Sequence, residues 1–548
     1  MTIFSKAILT TYQYSSILTC LVGLPMVGAF LLMLLPAKRT RLIRNGALAV
    51  LAGMLAIAIA AACLFNWRAV PGFSAMLQLQ ENLPWIRNIN AHFHLAVNAL
   101  SLFLILLVCG AGLLAALTGY VIDQQIKTYY VMLLLLAGML VGALASVDLL
   151  LFYLFSTAAI FPGYFLLGLW GGPGRRAAAM KFGLFGILGS IALLLAIIAI
   201  GWCTRHSPAF PRGTLNMVYL TGTAATHRLA DLGAHSGVPA AGFVARAAFW
   251  LLLFSFAARL GVPGLHMWLP DVVSEASVPA LMLTVGGNLV LGAYGLARIT
   301  FPMFPRLSAH NQIALGVWAA CAILYGALCA LAQSDLRKVT AYWLLSQAGY
   351  ILLASLIGVA AAFNGAILFI AGDLVTLLLL LWSTQTLERR ANHRDLNRLG
   401  GMAQLLPDFF CFSIIGFLCA MACPSLCLFP ALFLTMVGIF SAAYRGHLPA
   451  VPGLGGLEPA QWFVMFALAA AAGAVLIAAN MLWTIERIFL GQPRPEYHHF
   501  TGLTLVEKGI FIILIAAALA FGIIPDMLVL APIHQALQSL VLVSTRPR

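Results

Sequence analysis

Charged residues are scarce in this chain, and their scarcity decides its class. Only 8% of its 548 residues are Asp, Glu, Lys or Arg, whereas an average soluble domain has roughly a quarter. Hydrophobic residues make up 62% of the chain, and the mean hydropathy is +1.00. These values exclude an ordinary soluble enzyme and a disordered chain, and they predict a polytopic membrane protein.

Sequence motifs for redox cofactors and metal ions are also lacking. The ten cysteines are scattered and no CxxC occurs, so no cluster has the spacing of an iron–sulfur ligand set. No GxGxxG motif follows a strand pattern. Cys419, Cys423 and Cys427 could share one helical face, and packing of small apolar side chains is the simpler interpretation. We therefore expect no metal site, no bound cofactor and no catalytic residue in this chain.

The positive charge of the chain has an explanation in membrane topology. A formal net charge of +14 would suggest nucleic-acid binding in a soluble protein. Here Lys and Arg concentrate in alternate short loops, as the positive-inside rule requires. We therefore expect the lipid bilayer, and no nucleic acid, as a partner. The basic loops contain Lys38, Arg39, Arg41 and Arg44; Arg175 and Arg176; Arg337 and Lys338; and Arg389, Arg390, Arg394 and Arg398.

Hydrophobic stretches of about 20 residues, long enough to cross a bilayer as helices, recur along the whole chain. They predict an all-α polytopic membrane protein with about 14 transmembrane helices and no separate soluble domain. The basic loops fall on one side if both termini lie on the outer side of a bacterial inner membrane. The predicted spans lie near 16–35, 46–66, 93–118, 129–146, 149–170, 178–201, 242–262, 278–298, 313–332, 339–358, 362–385, 407–438, 461–484 and 507–530.

Paired prolines interrupt two of these spans. The seventh runs into Pro263 and Pro270, and the twelfth contains Pro424 and Pro430. Because proline cannot donate a backbone hydrogen bond, each pair predicts a broken helix. The breaks are expected near Gly261–Gly264 and near Pro424–Pro430.

Two broken helices five spans apart are typical of inverted structural repeats. Because five is an odd number of membrane crossings, the second five-helix unit would have the opposite orientation. We predict helices 1–3 in 1–120, the first repeat in 121–300, the second, inverted repeat in 301–490, and helix 14 with the tail in 491–548.

Arg259 stands at the end of the seventh hydrophobic stretch, just before the first break. An ionisable residue at membrane depth costs about 2.5–3.5 kcal/mol or more, so it normally has a polar partner and a function. We expect Arg259 in the bundle interior, paired with a carboxylate or with carbonyls freed at the break. Asp373 is the first candidate carboxylate and Asp271 the second.

Several motifs in order resemble one membrane family. LHMWLPDVVSEA, from Leu265 to Ala276, is similar to the HTWLPDAHxEA signature of the antiporter-like subunits of respiratory complex I and of multisubunit cation/proton antiporters. DLLLFY at 148–153, SDLRK at 334–338 and RDL at 394–396 agree with it. The end of the chain, from Met481 to Gly491, is most similar to chain M of bacterial NADH:quinone oxidoreductase. The resemblance covers about 120–530.

The resemblance also implies a protonation site at five positions of this sequence, and the residues there depart from the pattern. Active members have Glu at 157, Lys at 259, Lys at 290, His at 372 and Glu at 432. Only position 259 keeps a charge, and arginine cannot shuttle a proton because its pKa stays above about 12. We therefore expect the usual proton relay to be lost. The residues found are Thr157, Arg259, Val290, Gly372 and Leu432.

Other ionisable residues could form a different proton path, and each has a simpler interpretation. Lys181 could extend to the interface rather than act inside the bundle. His266 could be a neutral hydrogen-bonding group rather than a relay. Asp271 and Glu275 could pair with loop arginines rather than admit protons. Asp373 could be a relay acid, or it could pair with Arg259 or Lys338.

The resemblance implies a membrane-arm subunit of a complex I-like NADH:quinone oxidoreductase, linked to proton translocation but degenerate or weakly pumping. NADH, FMN, iron–sulfur clusters and quinone would then bind to partner subunits. Two alternatives stay open. One is a membrane subunit of a related complex, namely a membrane-bound hydrogenase, a cation/proton antiporter or an inorganic-carbon uptake system. The other is a scaffold that only packs between its neighbours.

Overall fold

The computed structural model describes residues 16–67, 77–86, 90–206, 213–221, 241–444, 458–493, 497 and 500–530. Thirteen helices within these ranges are long and apolar enough to cross a membrane. The predicted multi-pass helical membrane protein is thereby confirmed. Most of 203–240 and of 440–460, and both chain termini, lie outside the described residues.

The described residues of the first part of the chain form helices, with one pair of strands between the second and third. Its elements are α1 (Ile17–Leu34), α2 (Thr40–Leu64), β1 (Gln78–Ile86), β2 (Ala91–Val97), α3 (Ala99–Thr118), α4 (Ile126–Ala145), α5 (Leu149–Ala158), α6 (Ile160–Leu169), α7 (Arg175–Arg205), α8 (Met217–Thr221), α9 (Ala241–Leu260) and α10 (Leu269–Glu275).

The remainder consists of helices and the loops that connect them. A π-helical turn at Gly295–Thr300 joins the first two of its helices. Its elements are α11 (Val278–Tyr294), α12 (Phe301–Met303), α13 (Pro305–His310), α14 (Gln312–Leu331), α15 (Leu336–Leu356), α16 (Ala360–Ala391), α17 (Met402–Leu405), α18 (Pro407–Ala420), α19 (Leu428–Tyr444), α20 (Pro459–Phe489) and α21 (Leu505–Ile523).

The described chain divides into two compact units. The first contains the residues up to Arg259 together with Leu283–Ser308, and the second contains Leu260–Met282 and the residues from Ala309 to Leu530. Arg259 therefore belongs to the first unit and Asp373 to the second.

Burial differs widely among the spans. The Val278–Met303 span and α16 are buried along the whole of their most apolar 18-residue stretch, and α15 along 94% of it. The corresponding share is only 28% for α2 and for α21. The well-buried helices are interior helices, whereas α2 and α21 keep broad apolar faces for lipid or partner subunits.

A β-hairpin precedes α3, and the sequence did not predict it. Strands β1 and β2 pair antiparallel, with Glu81 opposite Leu95 and Asn82 opposite His94. The expected start of the third span near 93 is therefore wrong, since β2 continues to Val97. Asn98 then caps α3, because its side-chain oxygen accepts a hydrogen bond from the backbone amide of Ser101 at 2.7 Å. Such a cap fixes where a helix begins.

The break predicted from Pro263 and Pro270 in the seventh span is present after α9. Gly261 and Gly264 adopt φ angles of 78° and 92°, a left-handed conformation that ends a helix at little cost only in glycine. The indole nitrogen of Trp318 donates to the carbonyl of Pro263 at 3.0 Å. Helix α10 then starts with Pro270 in its first turn, where a missing backbone donor does no harm.

The twelfth predicted span consists of two shorter helices, α18 and α19. Between them, Ala422 and Ser425 have positive φ angles of 56° and 70°, and Pro424 lies in this break, as expected. The indole nitrogen of Trp343 donates to the carbonyl of Ala420 at 3.1 Å. Pro430 does not interrupt the helix as predicted, because it falls in the first turn of α19, where proline is tolerated.

His94 on β2 is a buried imidazole outside the membrane spans. Its Nδ1 is 3.3 Å from the side-chain nitrogen of Asn216, and its Nε2 has no hydrogen-bond partner among the described residues. Burial, followed by the nearby His92, lowers the pKa of His94 from 6.5 to about 4. The folded protein therefore keeps this histidine neutral at pH values where an unfolded chain would protonate it.

We predict that His94 makes the protein less stable as the pH falls from 6.5 to about 4. In that window the unfolded state binds the extra proton, so the free energy of unfolding decreases with falling pH. Thermal unfolding of the detergent-solubilised chain across this range should show a weaker pH dependence for His94→Gln than for the wild type.

His92→Gln is the matched control and should keep most of the wild-type pH dependence. Burial raises the pKa of Asp148, which acts in the opposite sense and is common to the wild type and His94→Gln. Identical pH profiles for the wild type and His94→Gln would contradict the prediction.

Candidate functional site: buried charges at the broken helices

Arg259 is buried at the end of α9, with 5% of its surface exposed. Its Nη2 donates to the carbonyl oxygen of Ser156 at 3.2 Å and to the hydroxyl of Ser190 at 3.4 Å. Its Nε has no hydrogen-bond partner among the described residues. Both observed partners are neutral oxygens, so they satisfy hydrogen bonds without compensating the charge.

The carbonyl that accepts from Arg259 lies near an irregularity between α5 and α6. The helix is interrupted at Ala159, three residues before Pro162, whose ring nitrogen cannot donate to the carbonyl of Ala158. Thr157, at the position of the family glutamate, lies in this last turn of α5. Its buried hydroxyl has no hydrogen-bond partner within the described ranges.

Asp373 lies in the middle of α16 and is fully buried. Neither carboxyl oxygen has a hydrogen-bond partner in the described part of the chain. The expected pairing with Arg259 or Lys338 is therefore wrong. The nearby Cys427 thiol lies 3.4 Å from the Thr376 hydroxyl and 3.7 Å from the carbonyl oxygen of Gly372.

Gly372, at the position of the family histidine, is closely packed. A Cβ added to Gly372 would come within 2.7 Å of the Leu428 side chain and 3.2 Å of the Cys427 carbonyl oxygen. A histidine could not fit there unless the start of α19 moved. Val290, at the site of a family lysine, is likewise fully buried among apolar neighbours.

A small cavity lies beside Leu432, which is at the position of a family glutamate. Leu432, Gln347 and Tyr350 line it together with residues of the α18–α19 break, and its volume is about 10 Å³. That is room for about one water molecule. Gln347 Oε1 is buried with no partner among the described residues. The cavity therefore has polar lining groups but no carboxylate, histidine or lysine side chain.

Two arginines hold the end of α10 beside the first break. Arg337 donates to the carbonyl oxygens of Ser274 at 3.3 Å and Ala276 at 2.6 Å, and it forms an ion pair with Glu388 at 2.6 Å. Arg394 also donates to the Ser274 carbonyl. Cations suit such a position because the last carbonyls of a helix carry partial negative charge.

Arg394 also forms ion pairs with two acidic residues of the second unit. It pairs with Asp335 at 2.8 Å and with Glu275 at 3.6 Å. Glu275 is thus paired with a loop arginine, one of the two roles considered for it. Asp271 is half-buried in the first turn of α10.

Three further predicted site residues are His266, Lys181 and Lys338. His266 is in the first break, where its Nε2 is 3.4 Å from the Tyr325 hydroxyl. Its Nδ1 has no partner in the described ranges. Lys181 is exposed on α7, and Lys338 is half-buried in the first turn of α15.

Sequence reasoning missed Arg298, which is only 8% exposed. It lies in the π-helical turn after α11 and hydrogen-bonds to Tyr294. An arginine at the end of a hydrophobic stretch ordinarily extends to the interface, so nothing in the sequence indicates that this one is buried. A π-helical turn is often found at functional sites, but only the structure reveals this one.

We predict that Arg337→Gln lowers the free energy of unfolding by about 2–3 kcal/mol, because the variant breaks a mostly buried ion pair and frees two carbonyls. Denaturant titration of the purified chain in mixed micelles measures this. Arg398→Gln is the matched control and should cost less than about 1 kcal/mol, since the Arg398 side chain is 70% exposed. Equal losses for both variants would contradict the assignment.

We also predict that Asp373→Leu leaves stability unchanged or raises it by about 1–3 kcal/mol, because it removes a buried polar group that has no partner. Asp373→Asn keeps a polar side chain at this position and should increase stability by less than Asp373→Leu does. The same titration compares both with the wild type. A loss of more than about 1 kcal/mol in Asp373→Leu would show that the carboxyl has a stabilising partner in the native state.

The fold and these sites can be compared with those of known proteins. The profile described as "NADH:quinone oxidoreductase/Mrp antiporter, TM" matches residues 146–450. NAD(P)H-quinone oxidoreductase chain 4 1 of Synechococcus sp. (strain JA-3-3Ab) is 31% identical over 93% of this chain and 90% of that protein. NADH-quinone oxidoreductase subunit M of Rickettsia prowazekii (strain Madrid E) is 28% identical over 85% of this chain and 87% of its own length.

Solved structures agree on the fold. A chain of respiratory complex I from Thermus thermophilus matches with a TM-score of 0.77 at 24% identity, over 96% of this chain and 99% of that one. A chain of the Mrp complex from Dietzia sp. DQ12-45-1b also gives 0.77, at 20% identity, over 97% and 99%. Since the family profile covers more than half of the sequence and the Synechococcus relative aligns over nearly its whole length, the chain belongs to the NADH:quinone oxidoreductase/Mrp antiporter transmembrane family.

Proposed function

We propose that this chain is a membrane-arm subunit of an NADH:quinone oxidoreductase. The observation that carries the proposal is the near full-length alignment with quinone oxidoreductase subunits, which reaches 93% of this chain in the Synechococcus relative. Alignment over both broken helices means that the whole membrane scaffold is shared, and not one motif. The chain would act within a multisubunit complex, in contact with other membrane subunits.

In that role the chain would be part of a translocase without carrying a redox centre of its own. The described residues contain no group of three or more His, Cys, Asp or Glu side chains that could hold a metal ion. NADH, FMN, iron–sulfur clusters and quinone would bind to partner subunits. Energy would reach this chain through helix contacts and through changes in the electrostatic potential around its buried charges.

We further propose two inverted repeats, in 121–300 and 301–490, with both termini on the outer side of a bacterial inner membrane. The breaks after α9 and after α18 support this arrangement, because each predicted repeat contains one of them. The basic loops near Arg175 and Arg389 support the orientation, because the positive-inside rule places such loops in the cytoplasm.

We infer that the chain does not move protons by the family's Lys–Glu relay. The five family protonation positions hold Thr157, Arg259, Val290, Gly372 and Leu432. A relay needs groups that can gain and lose a proton in the working range, and none of these does so. Arg259 would instead be a fixed positive charge that repels cations from any residual aqueous path.

A subunit of a cation/proton antiporter is the second candidate, favoured by the full-length structural match to a chain of an Mrp complex. The two roles predict different activities for the purified complex. An affinity-purified complex that oxidises NADH with a quinone acceptor supports the first role. A complex without that activity that exchanges Na⁺ for protons in vesicles supports the second.

We predict that Arg259→Ala leaves the number of protons translocated per electron pair unchanged, because neither the wild type nor the variant has a titrating group at this position. The measurement uses membrane vesicles that contain the assembled complex, with proton uptake and NADH oxidation recorded together. Arg246→Ala, at an exposed arginine on the same helix, controls for the loss of a positive charge from α9.

A double variant, Arg259→Lys with Thr157→Glu, rebuilds one part of the family relay. It should not restore full stoichiometry, since the positions of Val290, Gly372 and Leu432 still lack titrating groups. The inference is wrong if Arg259→Ala lowers the stoichiometry while assembly and the rate of electron transfer stay at their wild-type values.

A further inference from the structure

Three cationic side chains lie together where α1 is joined to α2. Lys38, Arg39 and Arg41 fall within four consecutive positions, and all three are exposed. The two helices that they connect are each long and apolar enough to cross a membrane. Since α1 ends at Leu34 and α2 begins at Thr40, the connection is too short to leave the surface of the bilayer. These charges therefore lie at the level of the lipid headgroups.

The three cations have no carboxylate partner among the described residues. Asp123, the acidic residue near this corner of the bundle, pairs instead with Arg44 at 3.3 Å. Lys38, Arg39 and Arg41 form no ion pair within the described ranges. Their charge is therefore not balanced by the part of the chain that the structure describes.

The other described acidic residues of the first unit lie at the opposite ends of the helices concerned. Glu81 accepts a hydrogen bond from the backbone amide of Leu18 at 2.9 Å, at the start of α1. The 18 residues of α1 span about 27 Å. Asp148 follows the end of α4, whereas Lys127 in the first turn of α4 contacts the α1–α2 connection. Neither carboxylate can reach the three cations.

Hydrogen bonds fix the backbone of this connection. The Lys127 amino group donates to the carbonyl oxygen of Leu35 at 2.9 Å. The backbone amide of Arg39 donates to the carbonyl oxygen of Pro36 at 3.1 Å. The three exposed cations are thus presented by a defined turn, and Lys127 brings a fourth positive charge next to it.

The other basic loops differ, because most of their arginines have partners within the chain. Arg337, Arg390 and Arg394 each pair with a carboxylate, and Arg175 donates to the carbonyl oxygen of Gly172 at 3.0 Å. The positive-inside rule accounts for cations in all of these loops. It does not account for three adjacent cations that have no partner in one of them.

Exposed apolar side chains flank the same three cations. Leu34, the last residue of α1, is 68% exposed, and Leu42, in the first turn of α2, is 47% exposed. Phe30 and Leu31 continue the exposed surface along α1. Only 39% of the most apolar stretch of α1 and 28% of that of α2 are buried. The surface is therefore cationic at the headgroup level and apolar directly below it.

We propose that this corner of the first unit is a binding site for an anionic phospholipid, with Lys38, Arg39 and Arg41 around its phosphate and its acyl chains along the exposed faces of α1 and α2. Clustered basic side chains next to a span attract anionic headgroups, and arginine matches the geometry of a phosphate. An acidic segment of another protein would meet the charges but would leave the apolar faces uncovered, whereas one phospholipid matches both. The site does not depend on NADH oxidation or proton movement.

The test is equilibrium binding of radiolabelled phosphatidylglycerol to the delipidated full-length chain in an uncharged detergent. Replacement of Lys38, Arg39 and Arg41 by Gln should weaken binding about a hundredfold, because each such cation contributes about fivefold. Replacement of Arg176, Arg389 and Arg398 by Gln is the matched control, since it removes three exposed arginines from other basic loops. The control should stay within about threefold of the wild type. Equal losses in both triple variants, or wild-type affinity in the first, would overturn the proposal.

Measurements on the wild type carry the test if the triple variant does not insert or fold. Phosphatidylglycerol should bind about tenfold or more tightly than zwitterionic phosphatidylcholine, and high salt should remove this preference by screening the charges. Glycerol 3-phosphate, which has the charge but no acyl chains, should not displace the lipid at equal concentration. The proposal is wrong if the two lipids bind equally at low salt, or if glycerol 3-phosphate competes as well as the lipid does. Binding is measured without electron transfer, so these outcomes are separate from those that test the proposed function.

Discussion

The cost of holding an ionised group in a low-dielectric interior governs where the described charged side chains of this protein lie. An isolated buried ion is unfavourable by several kcal/mol even after relaxation. Most charges here avoid that cost at the ends of the helices. Arg337 pairs with Glu388 at 2.6 Å, and Arg390 pairs with Glu507 at 2.8 Å. The end of α10 depends on the same constraint, because Arg337 and Arg394 donate hydrogen bonds to its last carbonyl groups.

Arg259 and Asp373 are two of the exceptions, and they differ in kind. Arg259 keeps its proton at any physiological pH, so its position holds a permanent charge. Asp373 can become neutral by taking up a proton, which is the less costly state for a carboxyl buried without a partner. A buried cation therefore remains in the first unit, while the second unit contains an acid that can be uncharged. Each feature departs from a relay in which lysine and glutamate exchange protons.

The sequence was sufficient for features that depend on local chemistry. Prolines and glycines at 261–264 located the first break, and Pro424 located the second, because both residue types act on the backbone directly. The hairpin before α3 was missed, since two short strands beside a long apolar run give a weak signal. The partner of Asp373 was also wrongly predicted. Side-chain pairing depends on helix packing, and in this case packing places Cys427 and Thr376 next to it.

The substitutions at the family protonation positions are visible in the sequence, but their effect on packing is visible only in the structure. The glycine at 372 shows that the histidine is gone, but only the structure shows that Leu428 and Cys427 fill its space. Restoring the family residue there would disturb α19. The buried Arg298 was likewise beyond sequence reasoning, because nothing near it in the chain distinguishes it from an interfacial arginine.

The central claim is that the first unit holds a permanent positive charge with no fixed carboxylate beside it. An experimental structure of the assembled complex, at a resolution that shows side-chain carboxylates and ordered ions, tests this most directly. The account predicts that no carboxylate, from this chain or from a partner subunit, lies within about 4 Å of the Arg259 guanidinium, the usual limit for an ion pair. A glutamate or aspartate at that distance would contradict it.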